Sequence, residues 1–154
     1  MISLTAYITR RLGYSAKDQA INFLAKPFGA ASFTEFWQYW NPVWGYYLHY
    51  YGYRPLRKHL SRPIAVLMTF FVCGLAHDLP FVLLAYAGAG QPPLFTLTVF
   101  FSLIGSLVIV TEKVRFQFAG APVEVRWIIH GAVLMVCYQM AVYVTAQWAK
   151  ILCL

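Results

Sequence analysis

The sequence predicts an all-α integral membrane protein, with aromatic-rich interfacial or re-entrant helices followed by about three transmembrane helices. Three observations predict it. Of 154 residues, 60% are hydrophobic and only 11% are charged, whereas a soluble domain carries about 25% charged residues. Mean hydropathy is +0.60. The charges are also unevenly placed, leaving uncharged runs long enough to cross a bilayer core, which takes about 20 residues of helix. Together these exclude a disordered tail, a collagen, a disulfide mini-protein and a soluble enzyme.

Residues 1–63 form a cytoplasm-side amphipathic segment. Arg10, Arg11, Lys17 and Lys26 divide its first half into pieces too short to span. Ser32-Phe33-Thr34-Glu35 matches a capping box and starts a helix. Ten of the eighteen residues from Phe36 to Tyr53 are Phe, Trp or Tyr, and such rings favour the headgroup level of a membrane. Asn41-Pro42 interrupts this stretch, because the residue before proline is pushed out of helical geometry.

Residues 64–154 form the transmembrane segment, which works with the first as one functional unit. From Pro63 to Thr111 the one charged side chain is Asp78, so this stretch holds two spans, about 64–86 and 94–111. They are separated by the turn residues Ala87 to Pro93. A third uncharged run, 127–149, has Trp127 and Trp148 at its ends as interfacial anchors. The start of the chain lacks the apolar core of a signal peptide and reads as uncleaved.

The net charge is +7. Residues 1–63 hold eight Lys or Arg against two acids, and the 87–93 connection holds none. This is the positive-inside pattern, placing the N-terminus in the cytoplasm and the C-terminus outside. The basic residues therefore point to membrane and not to nucleic acid. The expected location is a bacterial inner membrane, or the endoplasmic reticulum in a eukaryote. Cys73, Cys137 and Cys153 have neither disulfide nor metal-ligand spacing.

Chemistry is expected around His77 and Asp78, deep in the first span, because ionisable groups at such depth face the bundle interior or a wet cavity. Pro80 lacks an N–H, which should free the carbonyl of Ala76 beside His77. Cys73 lies one turn before His77 on the same face. Asp78 projects about 100° away from His77 and should meet a polar group on another helix. His130 lies near the cytoplasmic end of the third span, at a different depth, and no metal site is expected.

Phe36-Trp37-Gln38-Tyr39-Trp40-Asn41, Tyr53-Arg54-Pro55 and Cys73-Gly74-Leu75-Ala76-His77-Asp78 occur in order, with Asn41 and His77 36 positions apart. In these elements, residues 33–81 resemble the membrane-bound O-acyltransferase family. Gln38 stands where that pattern has Arg, and Asp78 where Glu or Gly is usual. The resemblance implies acyl transfer from a thioester, commonly acyl-coenzyme A as co-substrate and without a cofactor, to a hydroxyl of a lipid, glycan or protein. His77 would be the general base and Asn41 a positioning group, with Trp37, Trp40, Arg54 and Asp78 contacting substrate. A chain with three spans cannot enclose an acyl chain alone. Its remaining walls are expected from membrane lipid, from further copies in a homo-oligomer, or from a second membrane chain. Two other readings follow from the same residues: a non-enzymatic membrane scaffold or accessory subunit, and a small channel or transporter using His77 and Asp78.

Overall fold

Each short helix of the N-terminal half is set by polar groups at its ends. The structure is a computed structural model that describes residues 2–88 and 95–151. Helix α1 (Leu4–Leu12) is capped by Ser3 and α2 (Ala16–Phe28) by Ser15, whose side chains accept from Ala6 N–H and Asp18 N–H. The carbonyls ending α1 are taken up by side chains of α2. Gln19, Asn22 and Lys26 donate to Gly13 O, Leu12 O and Arg11 O at 3.1, 2.7 and 2.7 Å. These contacts satisfy groups that a helix end leaves without partners, and they clamp α1 and α2 side by side.

Helix α3 (Phe33–Tyr39) starts at the expected capping box, with Ser32 Oγ accepting from Glu35 N–H at 3.2 Å. The returning Glu35 carboxylate accepts from Ala31 N–H at 2.8 Å, one residue earlier than in the standard box. The interruption at Asn41-Pro42 is present. Asn41 adopts the left-handed region (φ 40°, ψ 75°), and its side chain caps α4 (Pro42–Tyr47). The helix then widens into a π-helical stretch over Leu48–Tyr53 before α5 (Arg54–Leu56). Pro55 explains the widening. Its ring would strike the carbonyl four residues back in a regular α-helix, and Arg54 N–H already reaches five residues back, to His49 O.

Three further helices are long and apolar enough to cross a membrane: α6 (Arg62–Tyr86), α7 (Thr96–Lys113) and α8 (Val123–Ile151). All regular structure among the described residues is helical. The spans match expectation with shifted ends. Helix α7 begins two residues late because Phe95 takes a left-handed backbone (φ 52°). It also runs on through Glu112, whose carboxylate pairs with Arg62 at the near end of α6. Helix α8 begins four residues early. Arg126 is accommodated there by donating to Ala121 O and Gly29 O at 3.0 and 3.1 Å. Residues 89–94 of the connection between α6 and α7, together with Cys153, lie outside the described residues.

Helices α6 and α7 form the tightest pair. Gly74 permits it, since a Cβ there would lie 2.4 Å from Thr98 Cα and 2.7 Å from Leu97 O. The buried core joins both halves of the chain, with Phe33 and Phe118 packing against Ile104, Val108 and Cys137. His130, 1% exposed, fastens α8 to the α2–α3 turn, its Nδ1 lying 3.0 Å from Phe28 O and 2.9 Å from Arg126 O.

Candidate active site

The aromatic N-terminal helices close over one face of α6 and leave a cavity of about 240 Å³ between them. Trp37, Trp40, Asn41 and Trp44 line it from α3 and α4, Cys73 and His77 from α6, and Phe101 from α7. Tyr7, Arg11, Gln38, His49 and Tyr53 supply a more polar rim. Asn41 and His77, 36 positions apart in sequence, thus share one cavity.

His77 is half-buried, and its Nδ1 lies 2.8 Å from the carbonyl oxygen of Cys73. A carbonyl can only accept, so Nδ1 carries a proton, and in the neutral form of the ring the lone pair is therefore on Nε2. The expected acceptor was the carbonyl of Ala76, freed by Pro80. The structure instead uses the carbonyl four residues back, the geometry natural to a helical side chain leaning toward the N-terminus, and α6 continues as one helix through Pro80. Two rings pack against the imidazole. Trp44 meets it edge-on (5.5 Å between centroids, 84°), and Phe101 lies at 5.0 Å and 40°.

Asn41 has one of its two polar atoms already engaged. Its Oδ1 accepts from Trp44 N–H at 3.3 Å, which leaves the amide NH₂ as the group available to a ligand. Trp37 packs at 5.3 Å against Phe70 and 6.1 Å against Phe101, so it forms a wall of the cavity.

Arg54 and Asp78 lie elsewhere. Arg54 holds its guanidinium 5.4 Å above the Tyr50 ring and does not line the cavity. Asp78, 4% exposed, turns its carboxylate to the start of α7. It accepts from Leu97 N–H at 3.2 Å, from Thr98 N–H at 2.7 Å and from the Thr98 hydroxyl at 2.7 Å. This is the expected meeting with a polar group on another helix. The carboxylate caps α7 from its neighbour, where the helix dipole also favours negative charge, and Asp78 is not among the residues lining the cavity. His130 lies among Phe33, Phe36 and Phe118, away from the cavity. No cluster of three or more His, Cys, Asp or Glu suited to a metal occurs among the described residues.

Sequence reasoning missed the rim and Trp44. At the rim, Arg11 donates to Gln38 O and lies 4.6 Å over the Tyr7 ring. Burial, followed by the charges of Arg54 and Arg11, holds the His49 imidazole below its ordinary pKa. A signal for Trp44 did exist. Asn followed by Pro marks a helix start, and the residue three positions on is the one whose N–H the cap binds.

The membrane-bound O-acyltransferase family model matches residues 12–145. No curated protein and no solved structure matches the chain. The matched region takes in the cavity-lining helices α3, α4, α6 and α7 and most of α8. The chain belongs to the membrane-bound O-acyltransferase family.

Proposed function

We propose that this chain carries the reacting centre of an acyl transfer from a thioester donor, acyl-coenzyme A being the first choice, to a hydroxyl acceptor. The observation that supports it most is the shared cavity presenting a histidine with a free Nε2 and an asparagine with a free amide. In this reading Nε2 of His77 takes the hydroxyl proton as the acceptor oxygen attacks the thioester carbonyl. The Asn41 amide donates to the oxyanion that forms. Collapse of that intermediate breaks the C–S bond, and the imidazolium returns its proton to the leaving thiolate. The ester and a free thiol are the products. Trp37, Trp40 and Phe101 keep water from the thioester, which suppresses hydrolysis.

The basic N-terminal helices lie on the cytoplasmic side in this reading, with membrane lipid and further copies or a second chain completing the acyl tunnel. The channel reading loses its acid, because the Asp78 carboxylate is committed to three donors on α7.

The test is transfer of radiolabelled acyl groups from coenzyme A thioesters into lipid, glycan and protein fractions of membranes containing the chain. Label in one fraction with wild type, absent with His77→Ala at equal folded protein, is the expected result and names the acceptor class. Equal labelling by wild type and His77→Ala would refute the assignment.

A further inference from the structure

We propose that Trp44 is a positioning residue that fixes Asn41 and His77 relative to one another, with the Cys73 thiol anchoring its ring. The proposal rests on the acyl-transfer reading of those two residues. The Trp44 backbone N–H holds Asn41 Oδ1 at 3.3 Å, its ring edge confines the His77 imidazole, and its Nε1–H donates to Cys73 Sγ at 3.2 Å. One residue thereby touches both chemical groups and is tied to the helix that carries the second.

Packing alone does not account for this arrangement. Trp44 is 36% exposed, so its ring is not a core filler. Its N–H turns to a weak thiol acceptor one helical turn before His77. That same turn supplies the Cys73 carbonyl that holds Nδ1–H, with Sγ itself 3.8 Å from Nδ1. The Trp44 ring and Phe101 flank the imidazole. A 180° turn of the imidazole would put a carbon against the Cys73 carbonyl and withdraw the lone pair from the cavity. The flanking rings oppose that turn, so the free amide of Asn41 and Nε2 of His77 keep one separation. Small displacements of reacting groups are costly, about 100-fold for 1 Å.

Two measurements on the full chain in nanodiscs test this. The first is the ¹⁵N spectrum of labelled histidine, with the His77 signals assigned by their loss in His77→Gln. Wild type should show Nδ1 protonated and Nε2 bare, and Trp44→Leu should show the two tautomers averaged. A tautomer unchanged in Trp44→Leu would overturn the proposal without reference to turnover. The second is acyl transfer. Trp44→Leu should lower kcat by about 10-fold to 100-fold with KM nearly unchanged. Cys73→Ala and Trp44→Phe should each give a smaller loss, and the double variant should be no worse than the poorer single, since both remove one bond. Cys73→Ser, which keeps an acceptor for Nε1–H, should restore transfer. Additive losses, or losses in KM alone, would refute the linkage. If His77→Ala retains wild-type transfer, the function assignment fails, and the tautomer measurement still decides what Trp44 does.

Discussion

Replacing Asn41 separates two roles that one side chain performs. Its Oδ1 caps α4 and its backbone is left-handed, while the residue lines the cavity and its amide NH₂ is not used by the cap. In Asn41→Ala the cap is lost, at about 1 kcal/mol, and a Cβ-bearing residue without local hydrogen bonding is held at positive φ, at about 1–2 kcal/mol. The sum is about 2–3 kcal/mol of destabilisation. Asn41→Gly escapes the backbone penalty, and glycine is a tolerable cap, so its stability should stay within about 1 kcal/mol of wild type. Asn41→Asp keeps an oxygen for Trp44 N–H and should fold equally well. All three lose the amide donor, and each should transfer acyl groups about 10²–10³-fold more slowly. Thermal unfolding in nanodiscs, followed by fluorescence, ranks stability; initial rates at equal folded protein rank activity. If Asn41→Gly or Asn41→Asp works within about threefold of wild type, Asn41 is a helix cap and the oxyanion assignment is wrong.

Other substitutions probe the frame around the site. Gly74→Ala places a methyl 2.4 Å from Thr98 Cα and should destabilise the α6–α7 pair by at least about 1–3 kcal/mol, read as a lower unfolding temperature. Asp78→Ala strips two backbone donors at the start of α7 of their partner and should cost about 2–4 kcal/mol. Its residual transfer, corrected for folded protein, should equal wild type. Burial, followed by the charges of Arg54 and Arg11, lowers the pKa of His49 in the folded chain. Unfolded chain therefore binds the proton first, and the stability contribution present above pH 6.5 is lost as pH falls below it. Unfolding temperature measured from pH 7.5 to 5.5 should fall less in His49→Gln than in wild type.

Much of the fold was legible because the bilayer imposes length and apolarity on a spanning helix, and uncharged runs report both. The ends of the spans were less legible. A charge reads as a boundary in the sequence, yet Glu112 and Arg126 sit inside helices because Arg62 and backbone carbonyls take them up. The pairing of Asn41 with His77 was visible from motif order. The direction each side chain faces was not. Arg54 stacks over Tyr50, four positions back across a π-helical stretch, while Asp78 adjoins His77 in sequence but serves another helix. Trp44 looked like one ring among ten, and only its three-dimensional contacts distinguish it.

The carboxylate of Asp78 also has a consequence for how the chain enters a membrane. In α6 alone, an acid at that depth would face hydrocarbon with no donors, at several kcal/mol. In the company of α7 it meets two amides and a hydroxyl. Neither helix is a good guest by itself, since the start of α7 would equally strand its amides. Insertion is therefore expected to be cooperative, with α6 and α7 leaving the translocation machinery as a hairpin. A ribosome stalled after α6 should leave that helix beside the machinery, and a stall placed far enough on for Thr98 to have emerged should release both helices.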